Sequence, residues 1–372
     1  MRLDLVDTTL RDGEQMPGVY FTPKQKVELA SLSSKFGARI IELMPAVSDS
    51  EKKLAKTLSN EGLNADLRAM CFLRKESIEQ ALSLDMKRVM PFTSLSDIHL
   101  KTKLNVSYEE NLLNSLEVVD FAKEHGLIVD FGIEDATRAS LENLSFFINS
   151  FGRKIDYFVI ADTVSVLTPL TSFLFFLNLK KSTNAKIEFH GHNDFGLATA
   201  NTLSAIESKV DAFSGTFCGI GERAGNTPIE EVYAALRFLN KKKLPVNYKL
   251  LKKICDRVQA LSEVPLSPNK PVVGQNAFTH ESGVHVDGVL KNPRNYEPFN
   301  PDLIGAKRKF IYGKHSGRKL IKNLLIKKGY KLDDNQLKLF LNKVKFLSEF
   351  QKKALSEEEV IYLFENFEKE GD

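Results

Sequence analysis

Between Met1 and about residue 240, eight short runs of β-branched and apolar residues alternate with longer amphipathic stretches, and no other feature restricts the fold as much. The runs lie near Leu3 to Thr8, Arg39 to Leu43, Leu67 to Phe72, Lys87 to Phe92, Leu127 to Ile133, Asp156 to Ala161, Lys186 to Phe189 and Asp211 to Phe217. Helical spacing marks Thr22 to Lys35, Ser50 to Ser59, Tyr108 to His125, Leu141 to Phe151 and Thr199 to Ser208 between them. Eight strand-then-helix units in this length predict an α/β fold, the (β/α)8 TIM barrel, for which about 250 residues is typical. An open doubly wound sheet is the alternative.

In a barrel of this kind the active site sits where strands end and loops begin. Chemically capable side chains fall at those ends: Arg11 and Asp12 after the first run, Glu42 after the second, Arg74 after the third, Glu134 and Asp135 after the fifth, Asp162 and Thr163 after the sixth. The seventh run leads into FHGHNDFGLATAN, and side chains at i and i+2 of a strand point the same way. His190 and His192 therefore face one point, as a two-imidazole metal grip does. After the eighth run comes GIGERAGN (Gly219 to Asn226), which is glycine-rich but lacks the GxGxxG spacing of a dinucleotide loop.

A chain of 372 residues has room for one large domain and a smaller one. Lys+Arg (52) nearly balance Asp+Glu (48) and are scattered, which argues against a nucleic-acid partner. The charged N-terminus and the lack of any run of roughly 20 apolar residues point to a cytoplasmic protein without membrane spans. Cys71, Cys218 and Cys255 have no CxxC spacing and read as small buried apolar residues. Lys241 to Pro245 and Pro265 to Pro271 read as linkers. The expected organisation is a catalytic barrel over 1–245, a linker and lid subdomain over 246–318, and a C-terminal helical region over 319–372. The lid contains a Gly-, Pro- and Asn-rich stretch, Phe278 to Gly305, that also carries His280, His285 and Tyr296. Leu/Phe stripes over Gln336 to Phe350 and Ser356 to Lys369 are packing faces.

Five motifs in order, DTTLRDGEQMPG, GIEDATRA, HGHNDFGLATAN, GIGERAGNTPIEEV and FTHESGVHVDG, resemble those of the acyl-CoA-dependent condensing enzymes of the homocitrate and 2-isopropylmalate synthase family. The match runs from residue 3 to about residue 320. The resemblance implies a divalent metal (Mg, Mn or Zn) held by Asp12, His190, His192 and Asn226. It implies a Claisen condensation of acetyl-CoA with a 2-oxo acid, followed by thioester hydrolysis. Arg11 would face the developing oxyanion, Glu134, His285 and Tyr296 would serve as base and proton relay, and Thr163 would hold the 2-oxo acid's carboxylate. His99 is a further expected substrate contact. In the family the small domain lies over the partner's barrel, which implies a homodimer with a shared site.

The sequence departs from that pattern where specificity should reside. Phe72 stands where many members place an arginine, and Arg74 follows two residues on; Gly132 stands where several relatives have serine. A displaced cation at the barrel mouth favours a 2-oxo acid with a second anionic group, because an unpaired guanidinium in a partly dry pocket needs an anion. Many 2-isopropylmalate synthases carry a further leucine-binding domain, whereas this chain stops at Asp372, as short homocitrate synthases linked to nitrogen fixation do. The expected order is homocitrate synthase (2-oxoglutarate), then a relative using oxaloacetate or phosphonopyruvate, then a 2-isopropylmalate or citramalate synthase. A retro-Claisen lyase is the least expected.

Overall fold

The computed structural model describes residues 3–331 and 333–369, which form two compact units, Met1–Pro265 and Leu266–Asp372. In the first, β1 (Asp4–Asp7), β2 (Ile40–Leu43), β3 (Asp66–Phe72), β4 (Arg88–Ser94), β5 (Ile128–Val129), β6 (Phe131–Glu134), β7 (Phe158–Asp162), β8 (Ile187–Gly191) and β9 (Ala212–Gly215) make one parallel sheet. β3 pairs with β4 as well as with β2, so the sheet closes on itself. β5 and β6 both pair with β4 and are one stave interrupted at Asp130. The result is the eight-staved barrel, and the open-sheet alternative is excluded.

The helices of this unit are α1 (Pro23–Phe36), α2 (Asp49–Ser59), α3 (Lys75–Ser83), the single turn α4 (Asp97–His99), α5 (Tyr108–Glu124), α6 (Leu141–Ser150), α7 (Pro169–Ser182), α8 (Ala198–Glu207), α9 (Ile229–Phe238) and α10 (Leu251–Ser262). Their starts are encoded locally. Thr22, Ser48, Ser107, Ser140 and Thr168 each accept a hydrogen bond from the backbone N–H three residues on. A cap of this kind contributes about 1 kcal/mol.

The barrel interior is layered. β3 and β4 pair Arg68 with Arg88, Met70 with Met90 and Phe72 with Phe92. Arg68 is fully buried and reaches Glu42 at 2.6 Å, Glu188 at 2.7 Å and Asp130 at 3.2 Å, while Arg88 holds the other oxygen of Asp130 at 2.8 Å. Above this ionic layer come the two methionines, and above them the Phe72 and Phe92 rings, 5.9 Å apart. Parallel strands are expected to be near-continuously apolar. The buried guanidinium among three carboxylates is therefore a departure.

The second unit has α11 (Gly283–Lys291), α12 (Arg318–Lys327), α13 (Asp334–Gln351) and α14 (Glu357–Lys369), plus a short parallel pair, β10 (Thr279–His280) with β11 (Lys309–Phe310). Val286, Ile321, Leu325, Phe340, Val344 and Val360 form its core. Of the expected stripes, Leu337, Phe340, Leu341, Val344, Val360 and Phe364 face inward, whereas Leu339, Phe346 and Phe350 are exposed. Among the described residues no helix is long and apolar enough to cross a membrane.

Candidate active site

Asp12, His190 and His192 come together at the C-terminal mouth of the barrel, all three buried, with one ligand atom from each inside a 4.8 Å span. Asp12 stands at the start of the short turn Gly13–Gln15 that follows β1. His190 lies on β8, and His192, just past its end, bridges to Asn226. His190 Nε2 is 3.3 Å from His192 Nε2 and 3.5 Å from Asp12 Oδ2.

The hydrogen bonds settle which nitrogen is free. Ser214 Oγ donates to the Phe189 carbonyl at 3.4 Å, so it accepts from His190 Nδ1–H at 2.9 Å. That leaves a bare His190 Nε2 aimed at another imidazole and a carboxylate. Burial pushes His192 down to about 4, so it is neutral at physiological pH. Burial alone would raise the Asp12 carboxyl, but the Arg11 charge beside it holds it well below the usual carboxylate range. Two imidazoles and a carboxylate converging on one point fit a divalent cation.

Asn226 fits too. Its Nδ2 donates to Asp12 Oδ1 at 2.6 Å, while among the described residues its buried Oδ1, like His192 Nδ1, has no hydrogen-bond partner. The glycines of GIGERAGN make this approach possible. A Cβ on Gly221, which has φ +151°, would lie 2.0 Å from Asn226 Nδ2, and one on Gly225 would lie 1.9 Å from the Gly219 carbonyl. They are needed for close packing of the loop over the ligand cluster.

A cavity of about 310 Å³ opens beside the cluster, and Arg11, Asp12, Glu134, Thr163, His190 and His192 all line it. Arg11 Nη1 donates to Asp12 Oδ2 at 2.6 Å and its Nε to Glu42 Oε1 at 2.5 Å, so the guanidinium is fixed against the ligand cluster. Glu134, the last residue of β6, takes both its hydrogen bonds from Lys103 Nζ, at 2.7 and 2.6 Å. Thr163 Oγ1 accepts from the Asp135 N–H at 2.8 Å, which leaves its own proton to donate.

Two expected contacts lie elsewhere. His99 is outside the cavity wall, 3.8 Å from Asp135 and 4.0 Å from Glu134. Arg74 is exposed, with its guanidinium 5.3 Å from the Phe72 ring centroid and its Nε 3.4 Å from Ser77 Oγ. The reason is local: β3 ends at Phe72 and Arg74 is the N-cap of α3, so the two-residue periodicity that would have aimed it inward has already stopped.

In the second unit His285 and Tyr296 are both exposed and stacked, with ring centroids 4.2 Å apart and 25° between planes. A Cβ on Gly288 would sit 2.4 Å from Tyr296 Cε2, so that glycine admits the tyrosine ring. Beside it, buried Glu297 accepts from Arg308 at 2.5 and 2.6 Å and contacts His280 Nε2 at 3.2 Å. Sequence reasoning missed Lys103, Ser214 and the Glu297 clamp. Only the strand register, which sets Ser214 beside His190, would have flagged the second.

Residues 2–258 match the HMGL-like family, and residues 272–352 match the one described as homocitrate synthase post-HMGL domain-like. The chain belongs to the HMGL-like family. Within it, the chain is 42% identical over 348 residues to the probable 2-isopropylmalate synthase of Ignicoccus hospitalis, covering 93% of this chain and 87% of that one. Identity to the (R)-citramalate synthase of Methanocaldococcus jannaschii is also 42%, over 93% of this chain and 71% of that protein. For the homocitrate synthase of Methanopyrus kandleri it is 41%, over 92% and 87%. The family resemblance carried by the five motifs is therefore confirmed. Among solved HMGL-like structures, the HMG-CoA lyase of Bacillus subtilis superposes with a TM-score of 0.64 at 20% identity, over 72% of this chain and 96% of that one, which reflects the shared barrel.

Proposed function

We propose that this chain condenses acetyl-CoA with a 2-oxo acid at a divalent cation held by Asp12, His190, His192 and Asn226, with the convergence of Asp12, His190 and His192 beside a lined cavity as the observation that carries the reading. Its similarity, at 41–42% identity over most of the chain, to 2-isopropylmalate, citramalate and homocitrate synthases makes it an acetyl-CoA-dependent acyltransferase. Magnesium, manganese and zinc all suit a donor set of carboxylate, imidazole and amide. Once bound, the cation supplies Lewis acidity and orientation to the carboxylate and ketone oxygens of the 2-oxo acid.

The protein's side chains do the rest. Thr163 donates its free proton to the 2-oxo acid's carboxylate. The acetyl methyl gives up a proton to a base, its carbon bonds to the ketone carbon, and the ketone oxygen gains the electron pair and takes up a proton. Arg11, fixed by Asp12 and Glu42, supplies positive charge to that oxygen without having to reorganise. Water then cleaves the thioester and releases the CoA thiol. Glu134, held by Lys103, and the His285–Tyr296 pair provide the base and the proton relay.

We place His285 and Tyr296 in the partner's site, with the homodimer as the working unit. Mixing inactive Asp12→Ala with inactive His285→Ala chains is expected to restore activity, since a mixed dimer holds one intact site. Absence of recovery, once subunit exchange has been demonstrated by mass-tagged chains, would remove the trans arrangement. Arg74→Ala, by contrast, is expected to leave kcat/KM within about threefold for every 2-oxo acid, because exposed substitutions of this kind shift energies by about 0.5 kcal/mol. A loss confined to dianionic acids in steady-state assays would return Arg74 to the site.

The direct test of the reaction is release of CoA thiol from acetyl-CoA that requires both a divalent cation and a 2-oxo acid. Thiol release indifferent to the 2-oxo acid would make the protein a thioesterase instead.

A further inference from the structure

We infer that the 2-oxo acid accepted here carries one carboxylate and an apolar tail, with the tail lying against the wall formed by Met70, Met90 and Phe92. The inference rests on the condensation reading above and concerns what fills the rest of the same cavity.

The wall is continuous. Met70 on β3 and Met90 on β4 are register partners, and Phe92 stands one layer above Met90, beside Phe72. Met70, Met90 and Phe92 all line the cavity, joined by Met44 just past β2 and by Val159 on β7. Gly132 lets the ring sit there: it pairs with Phe92, and a Cβ on it would lie 2.8 Å from Phe92 Cβ. Three methionines make this wall adaptable, because an unbranched thioether repacks around different apolar shapes.

The charges point the same way. Three cationic side chains other than histidine line the cavity, Arg11, Lys103 and Arg223. Each is already engaged among the described residues. Arg11 is held by Asp12 and Glu42, Lys103 by both oxygens of Glu134, and Arg223 by Asp194 at 2.9 Å and by the Thr163 carbonyl at 2.5 Å. The guanidinium that the sequence offered for a distal anion, Arg74, lies outside the cavity. A second carboxylate placed against Met70 and Phe92 would lose its water without gaining a cation. Burial of a charge is tolerated only when it is paired and hydrogen-bonded.

The test compares kcat/KM by thiol release from the full chain loaded with Mn2+, using 2-oxobutanoate, 3-methyl-2-oxobutanoate and 4-methyl-2-oxopentanoate against 2-oxoglutarate and oxaloacetate. The best apolar acid is expected to exceed both dianions by about 100-fold, the scale on which pockets reject ill-matched tails. Met70→Lys, which puts a cation into the wall, is expected to shrink that ratio by at least about tenfold. Calorimetric binding of 3-methyl-2-oxobutanoate and 2-oxoglutarate to the Mn2+ form, without acetyl-CoA, gives a second readout on the unaltered protein. An equal or higher kcat/KM with either dianion overturns the inference and leaves the condensation intact. Absence of thiol release with every acid overturns the condensation reading. In that event tighter calorimetric binding of 2-oxoglutarate would overturn the tail assignment, and tighter binding of the apolar acid would uphold it.

Discussion

His190→Ala/His192→Ala is expected to lower kcat by about 1000-fold or more while the barrel stays folded. Loss of the cation removes a charge that stabilises the ketone oxygen as it becomes negative, a contribution of several kcal/mol, and about 4 kcal/mol corresponds to roughly 1000-fold in rate. The same fall should follow exhaustive chelation of the unaltered protein, with one difference: added Mn2+ should restore the chelated protein and not the double variant. Metal content by elemental analysis separates this from a purely kinetic defect. Ser214→Ala should be milder. It leaves the ligand nitrogen in place but frees the His190 tautomer that the Ser214 hydroxyl now fixes at 2.9 Å, and the loss of such an outer contact costs about 10–100-fold in metal affinity. Full turnover after chelation would end the metal assignment.

The parts of this molecule that repeat along the chain were readable from its letters. Strand-helix alternation produced the barrel because each stave is a local pattern bounded by its own turn and cap signals, as Thr22 and Ser48 illustrate. The ligand cluster was readable for a different reason: i and i+2 on a strand is a local rule, and β8 obeys it up to His190. The inward aim expected of Arg74 applied the same rule one step too far, past the end of β3. Lys103 was illegible because a lysine in an amphipathic stretch reads as a solvated face. Its role depends on the π-helical turn Leu100–Leu104, which delivers it to Glu134 across 31 residues of chain. The break at Asp130 is likewise tertiary. Its carboxylate accepts from Arg68 and Arg88 on two other strands, and no local propensity foretells that.

That ionic layer makes the second large prediction. Arg68→Ala should destabilise the barrel by about 3–5 kcal/mol, because it leaves Glu42, Asp130 and Glu188, all fully buried, with their central cation gone. For a domain of this size such a loss lowers the melting temperature by about 10 °C. A cavity alone would cost a similar amount, so the pH dependence carries the discrimination. Without Arg68 the buried carboxylates are driven above their unfolded pKa, and the folded state then binds more protons than the unfolded one. Where the native state holds the extra protons, stability rises as pH falls. The deficit of Arg68→Ala relative to the unaltered protein should therefore narrow as the pH is lowered from 7 towards 5, whereas a cavity defect would be indifferent to pH. Arg68→Met, which refills most of the volume but not the charge, should keep the same pH signature. Thermal unfolding of the three proteins across that range would decide it, and a deficit that stays constant with pH would mean that the layer is held by packing and not by its charges.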